Sequence, residues 1–181
     1  FNTGLATAIN QLKREIADIL SKFGYPVILD FDFQGVTLDL QEKCLSGNEI
    51  ILNIQFQNTN LPLAHQFLNE AKLSAIALSI YFASLLINPT PTGGLKIMVL
   101  DDVLIGLDMS NRLPVINILK EKFSDYQIFL MTYDKEWYEI LKRHFPSWKT
   151  IELYAGHGTD YEMPILVENK QYLAKAKAYL Q

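Results

Sequence analysis

Two adjacent carboxylates, Asp101 and Asp102, directly follow the apolar run Ile97-Met98-Val99-Leu100. Such a run is typical of a strand buried in an α/β sheet, and ligands bind at the carboxyl ends of these strands. Neighbouring carboxylates repel each other unless a cation lies nearby. Mg²⁺ on a nucleoside triphosphate is the natural candidate, because it often takes one or two carboxylates together with phosphates and water. The alternative is an ordinary strand that ends in an Asp turn.

The elements that position these acids follow from the apolar pattern. The second half alternates strands and helices, which indicates an α/β layer with parallel strands. The strand before the acids is expected to be central and covered on both faces. The predicted elements are strand 96–100, helix 110–123, strand 127–131, helix 135–143, strand 150–154 and a last helix from about Asn169.

The first half predicts one helix and a group of strands. Apolar residues recur at helical spacing within residues 1–23, and Gly24-Tyr25-Pro26 ends that helix. Three strand-like runs follow, 27–33, 36–40 and 50–56, with a turn signal at Gln34-Gly35. The economical interpretation is an antiparallel meander in which the first two runs form a hairpin.

A long helix is expected over residues 65–87. Its most apolar part, 73–87, is shorter than the ~20 residues that a membrane span needs, and it contains three serines. A buried core helix and no contact with a membrane are therefore predicted.

Composition favours a folded protein without a strong attraction to nucleic acid. Of 181 residues, 49% are hydrophobic and 20% charged, which predicts one globular domain over 1–181. The net charge of −4 gives no electrostatic pull toward a polyphosphate. Cys44 is the one cysteine, so a reducing, cytoplasmic setting is expected. The three histidines lack metal-ligand spacing.

The segment 96–110 resembles the Walker B motif and D-loop of ABC-type ATPases of the SMC/RecF kind. The resemblance implies that Asp101 holds Mg²⁺, largely through water. Asp102 stands where that family usually has the glutamate that orients the attacking water. By the same resemblance, Gly106, Leu107 and Asp108 form the D-loop, which touches the partner's nucleotide site across a dimer.

The segment 67–79 resembles a divergent signature motif and its helix. The family pattern is Leu-Ser-Gly-Gly-Glu/Gln, and the corresponding residues here are Leu68, Asn69, Glu70, Ala71 and Lys72. A helix N-terminus with free N–H groups is an anion site, and an asparagine amide can donate to a phosphate as a serine hydroxyl does. Glu70 adds a negative charge there, for which Lys72 could compensate. The alternative is a buried helix that Asn69 simply caps.

The segment 128–134 is similar to the strand that carries the switch histidine of these ATPases. Tyr133 occupies the position of that histidine, which normally contacts the γ-phosphate. A tyrosine hydroxyl donates one hydrogen bond but carries no positive charge near neutral pH. Fast hydrolysis is therefore in question, and a plain strand that ends at Tyr133 is the alternative.

No Gly-x-x-x-x-Gly-Lys-Ser/Thr sequence occurs in the chain. The resemblance implies that this phosphate-binding loop lies in a separate N-terminal Walker A lobe, and that residues 1–23 return from a coiled coil. The expected fold is α/β, the C-terminal lobe of an ABC-type nucleotide-binding domain. It would have a mainly parallel sheet flanked by helices, an antiparallel hairpin region at 24–64, and the signature and Walker B region at 65–181.

The function that this resemblance implies is ATP binding with Mg²⁺ between two heads of a homodimer, followed by hydrolysis. Full proteins of this type mostly act on DNA, in repair, chromosome maintenance or defence, and here any DNA contact would come through other regions. Two alternatives remain open: a nucleotide-gated regulatory module with little or no hydrolysis, and an interaction domain that binds no nucleotide.

Overall fold

The structure, a computed structural model, describes residues 2–47, 49–88, 94–104, 106–157 and 162–168. The chain forms two compact units, of which the first ends at Tyr133 and the second begins at Asp134. In chain order the elements are α1 (Asn2–Lys22), β1 (Val27–Phe33), β2 (Thr37–Asp39), β3 (Cys44–Ser46), β4 (Ile50–Phe56), β5 (Thr59–Asn60), α2 (Ala64–Phe67), α3 (Glu70–Ile87), β6 (Ile97–Asp101), α4 (Met109–Lys122), β7 (Gln127–Met131), α5 (Lys135–His144), β8 (Ile151–His157) and β9 (Glu162–Glu168).

The first helix forms as its apolar periodicity predicts. Ile9, Ile16, Ile19 and Leu20 lie on its buried side, and α1 packs against α3 and β1. Gly24 ends the helix with φ +71°, a conformation that costs glycine little. The helix predicted over 1–23 is therefore confirmed.

The predicted meander is wrong, because β1 pairs with β4 and not with β2. Seven residue pairs join β1 and β4, from Val27↔Phe56 to Phe33↔Ile50. β2 instead forms a short hairpin with β3. The Asn2 side chain accepts a hydrogen bond from the Val36 backbone N–H and donates one to the Val36 carbonyl, each at 3.0 Å. The backbone groups of Val36 are therefore satisfied without a neighbouring strand.

The helix predicted over 65–87 is interrupted. The short α2 ends before Leu68, which has an extended backbone and a buried side chain. Asn69 then caps α3, since its Oδ1 accepts from the Lys72 N–H at 3.1 Å. Asparagine competes with helical hydrogen bonding and favours caps, so the break falls at this residue.

Helix α3 contributes to the core of the first unit. It contacts α1 and α4, and the Phe82 ring lies 5.3 Å from that of Phe123, which directly follows α4. Among the described residues α3 is the one helix long and apolar enough to span a membrane, a test that core helices also pass. Its buried residues are Ala75, Ile76, Leu78, Ser79, Phe82 and Ala83.

Strands β6 and β7 pair in parallel, as predicted, but only one face of β6 is covered. Met98 and Leu100 are each 1% exposed, whereas Ile97 and Val99 on the other face are 47% and 50% exposed. The expectation of a strand covered on both faces is therefore wrong for this chain alone. A mainly parallel sheet is not observed either, because the other strand pairs of the described residues are antiparallel.

The second unit contains α5 and a β-hairpin. The Asp134 carboxylate caps α5 by accepting from the N–H groups of Glu136 and Trp137, and Trp137 is buried. The strand predicted at 150–154 extends to His157 and pairs antiparallel with β9, so the parallel arrangement expected there is wrong. Residues 158–161 and the helix predicted from Asn169 lie outside the described residues.

Ion pairs join α1 to the end of α4. The Lys122 ammonium lies 2.8 Å from an Asp18 carboxylate oxygen and 3.0 Å from one of Glu15. The hydrogen bond from Lys122 lowers the pKa of Asp18. Lys22 of α1 adds a pair with Glu121.

We expect Lys122→Met to lower the free energy of unfolding by about 0.5–1 kcal/mol at neutral pH, because Asp18 and Glu15 are partly exposed. Because the pKa of Asp18 is lowered in the folded protein, the ion pair stabilises the fold at pH values above the pKa of an unfolded Asp, which is about 4. This stabilisation is lost as the pH falls through the pKa of Asp18 in the folded protein. Urea unfolding at neutral and acidic pH measures this, with Arg14→Met, which removes an exposed charge of α1, as control. An equal loss at both pH values would assign the effect to packing of the Lys122 stem.

Candidate functional site

The acid pair lies where β6 and β7 end together. Asp101 is the last residue of β6 and is exposed. The Asp102 N–H donates to the Met131 carbonyl at 3.2 Å, which extends the pairing by one residue. Asp102 then has φ +50°, a left-handed conformation that Asp and Asn adopt more readily than most residues. The chain therefore turns sharply away from the sheet at Asp102.

The two carboxylates have different surroundings. Oδ1 of Asp102 is buried and has no hydrogen-bond partner among the described residues, whereas Asp101 is exposed. A buried unpaired carboxylate oxygen is costly, and each such atom in a folded protein requires an explanation. A ligand or water that donates to Asp102 would remove that cost.

The residues present fit Mg²⁺ bound to a phosphate. Carboxylate oxygens are hard ligands, and Asp101 and the unpaired Oδ1 of Asp102 belong to adjacent residues. Within the described residues no group of three or more His, Cys, Asp or Glu side chains could hold a metal ion. Two carboxylates alone would leave most of the coordination sphere of Mg²⁺ to phosphates and water.

The predicted D-loop packs against the start of α3. A Cβ added at Gly106 would lie 2.7 Å from Oγ of Ser74 and 3.3 Å from Oε1 of Glu70. Only a residue without a side chain fits this approach without a shift of those groups. The structure therefore brings Gly106 together with Glu70, two site residues that the sequence predicted separately.

The rest of the predicted D-loop is bonded to the beginning of α4. Asp108 caps α4, and its Oδ1 accepts from the backbone and side-chain nitrogens of Asn111 at 2.9 and 2.7 Å and from the Ser110 hydroxyl at 2.8 Å. The Ser110 hydroxyl is the largest cause of a lowered pKa at Asp108. Leu107 is buried, and its carbonyl accepts from Nε of the buried Arg112 at 2.8 Å.

Asn111 and Arg112 did not emerge as candidates from the sequence. The spacing Asp108-x-x-Asn111 at the start of a helix is the available signal, because an N-cap side chain commonly accepts from the backbone N–H three residues later. No local pattern marks Arg112, whose bond to Leu107 depends on burial.

The residues of the predicted signature motif differ in their contacts. Asn69 caps α3 through Oδ1, which leaves its amide N–H groups outside that bond. The Lys72 ammonium lies over aromatic rings, 5.2 Å from the centre of Phe56 and 5.9 Å from that of Tyr25. Ala71 is half-buried. The alternative in which Asn69 caps a helix is thus correct as structure, and phosphate binding by these residues stays a prediction.

Tyr133 follows β7, the strand that pairs with β6. Because parallel strands end at the same edge of a sheet, Tyr133 lies on the edge that carries Asp101 and Asp102. Its side chain is 73% exposed. This exposure leaves the Tyr133 hydroxyl accessible to a ligand. A catalytic role for this hydroxyl stays a prediction.

No family model and no curated protein matches this chain. Among solved structures, one from work on the ATP-driven dimerization and DNA-stimulated activation of SMC ATPases has 13% identity and a TM-score of 0.58, with 99% of this chain and 95% of that chain covered. An Smc head domain with a coiled coil and joint from Pyrococcus yayanosii has 16% identity and a TM-score of 0.60, and an SmcHead bound to the C-winged helix domain of ScpA has 14% and 0.58.

Each of the last two alignments covers 94% of this chain, which spans 28% of the Pyrococcus chain and 45% of the ScpA-bound one. The mixed helix and strand fold of this chain is therefore similar to that of SMC ATPase heads.

We expect Gly106→Ala to destabilise the chain by about 1–3 kcal/mol, because the new Cβ overpacks the contact with Ser74. Adding Ser74→Ala should recover part of that loss, since it removes the nearest atom, Oγ. Urea unfolding of both single variants and the double variant measures the coupling. Equal stability of Gly106→Ala and the parent chain would show that the D-loop does not pack on α3.

Proposed function

We propose that this chain is the C-terminal lobe of an ATP-binding and ATP-hydrolysing head of the SMC/RecF-like type. The observation that carries the proposal is the turn after β6. There, two acids are followed within a few residues by a loop that packs on the start of α3. The acids, the D-loop and the start of the predicted signature helix thus belong to one connected part of the first unit.

The roles of the residues follow from their surroundings. Asp101, exposed at the end of β6, would hold Mg²⁺, which supplies neutralising charge for the β- and γ-phosphates when bound. The Asp102 carboxylate, at the adjacent position, would accept a hydrogen bond from the attacking water and orient it, which requires its buried Oδ1 to turn toward the strand edge. Tyr133, exposed on the same edge, can donate a hydrogen bond to a phosphate oxygen.

Two copies of the head would share each nucleotide. Asn69, Glu70, Ala71 and Lys72 of one copy, with the D-loop Gly106 to Asp108, would face the nucleotide bound by the other copy. Gly106 lies against Glu70, so the two motifs would meet that nucleotide as one surface. ATP would then hold the dimer together, and hydrolysis would release it.

The uncovered face of β6 and β7 supports a Walker A lobe as partner. Parallel sheets are almost always covered on both faces, yet Val99 and its strand partner Phe129 are each about half exposed. Ile97 and Met131 extend this apolar surface. A lobe that packs on it would cover the second face and bring its phosphate-binding loop to the acids.

A nucleotide-gated module with little hydrolysis is the second candidate. It is favoured by Asp102 at the usual glutamate position, Tyr133 at the histidine position, and Glu70 and Ala71 at the two glycine positions. Asp is one methylene shorter than Glu, and a small displacement of a positioning group is expensive in rate. In either case a cytoplasmic setting is proposed, with DNA contacts through other regions because this chain has a net charge of −4.

We expect Asp102→Asn to reduce ATP turnover by the intact two-lobed protein by about 10²- to 10⁴-fold, because the amide cannot act as a base toward water. Asn tolerates the left-handed backbone at this position, so the variant keeps the turn and changes chiefly the charge. Phosphate release and equilibrium binding of labelled ATP are measured in parallel.

Asp101→Asn is the matched comparison, because the same change one residue earlier should weaken the Mg²⁺ dependence of binding. Loss of turnover with retained binding in Asp102→Asn supports the ATPase. Binding without turnover in the parent protein would favour the gated module, and no binding at all would refute both.

We expect Phe129→Asp to weaken association with the Walker A lobe by at least about tenfold, because a carboxylate would be buried against an apolar surface. Phe129 is about half exposed, so the separate chain should remain folded. Calorimetric titration of the two lobes measures the affinity. Leu45→Asp on the β2–β3 hairpin, also exposed, is the control, and equal affinities for both variants would place the lobe elsewhere.

A further inference from the structure

Lys72, the fifth residue of the predicted signature motif, has its ammonium over two aromatic rings. The ammonium lies 5.2 Å from the centre of the Phe56 ring and 5.9 Å from that of the Tyr25 ring. Both distances are within the roughly 6 Å over which a ring face attracts a cation. All three side chains are half-buried, and desolvation strengthens this attraction. The rings of Phe56 and Tyr25 therefore form a site for the ammonium, here called the aromatic cradle.

Strand pairing brings the two rings of the aromatic cradle together. Phe56 is the last residue of β4, and it pairs with Val27 of β1 on one side and with Thr59 of β5 on the other. Tyr25 lies two residues before Val27, whose N–H donates to the Tyr25 carbonyl at 2.8 Å. Both rings thus come from the end of the sheet at which β1 begins and β4 ends.

The Lys72 side chain is held by the rings and not by a carboxylate. Its backbone N–H donates to Oδ1 of Asn69 at 3.1 Å, so the cap fixes the backbone and the aromatic cradle holds the ammonium. Within the described residues Lys72 forms no ion pair. The neighbouring Glu70 carboxylate lies instead beside Gly106. Lys72 therefore does not compensate for Glu70 by pairing with it.

An aromatic cradle and a carboxylate have different effects on the charge of a lysine. A ring attracts the ammonium through its quadrupole and brings no counter-charge, whereas a carboxylate neutralises it. Lys72 thus keeps its positive charge in the first turn of α3. The positive end of the helix dipole lies in the same turn, so both favour a negative group there.

We propose that Phe56 and Tyr25 are positioning residues that hold Lys72 as an unpaired cation for the phosphates of the nucleotide bound by the second copy. This inference rests on the proposed function, in which the predicted signature residues face that nucleotide. The rings act only through Lys72. Loss of a ring should therefore weaken nucleotide-driven association of the heads when Lys72 is present, and have little effect when Lys72 is absent.

The aromatic cradle itself can be tested without nucleotide. Protons above a ring face resonate upfield of their usual position, so the ε-methylene signal of Lys72 in the intact two-lobed protein should lie upfield of that of an exposed lysine. Lys72→Arg assigns the signal by removing it. Phe56→Leu should return the signal toward the usual position. Phe31→Leu, which removes another half-buried ring of the same sheet, is the matched control and should leave the signal in place.

The role of the aromatic cradle is tested by association of the intact heads with a nonhydrolysable ATP analogue, measured by analytical ultracentrifugation. We expect Phe56→Leu to weaken association about fivefold to thirtyfold, because the Lys72 side chain must then be ordered on binding at each of two nucleotide sites. Lys72→Met should weaken it at least as much. Adding Phe56→Leu to Lys72→Met should cost less than about twofold more, because the ring acts through the lysine.

Phe56→Tyr keeps a ring, so it should retain both the upfield signal and the association, and it serves if Phe56→Leu does not fold. An ordinary ε-methylene position for Lys72 in the parent protein would overturn the inference whatever the nucleotide does. An equal loss from Phe56→Leu with and without Lys72 would also overturn it, and the proposed function would stand. If the parent heads do not associate with the analogue, the proposed function fails and the role of the aromatic cradle fails with it, even where the upfield signal is present.

Discussion

The close approach of Gly106 to the first turns of α3 is the constraint on which the candidate site depends. A side chain at this position would meet Ser74 and Glu70, so the backbone itself forms the contact. The contact fixes the loop that leaves Asp102 and places its aspartate, Asp108, at the start of α4. A Cβ here could enter only if the Ser74 and Glu70 side chains moved, so the glycine lets these two distant segments approach closely.

Helix α4 connects this contact to the rest of the first unit. It begins at the Asp108 cap and ends with Lys122, which pairs with Asp18 and Glu15 of α1. Its apolar residues Val115, Ile116, Ile118 and Leu119 are buried, and Phe123, which directly follows it, packs on Phe82 of α3. The helix that begins at the predicted D-loop thus also carries contacts with α1 and α3.

The elements and site residues that depend on a local sequence pattern could be predicted from the sequence. Periodicity located α1 and the β6–β7 pair, and strand ends identified the acids at 101 and 102. It did not predict that β1 skips the next run to pair with β4, because pairing across a long connection depends on matching whole strands. Arg112 escaped for a different reason, because its bond to the nearby Leu107 carbonyl depends on burial that no local pattern marks.

The exposed face of β6 explains a failed expectation and is the surface that the proposed Walker A lobe would cover. Four consecutive apolar residues encode burial on two faces, but this chain covers only that of Met98 and Leu100. Full burial of a Val or Phe side chain is worth about 1.5–3 kcal/mol. Exposed Val99 and Phe129 thus leave free energy that a packed lobe would recover. The unpaired Oδ1 of Asp102 follows the same logic, because a ligand would satisfy it. Both features lie at one strand pair, so the proposed lobe and the proposed ligand would meet neighbouring parts of it.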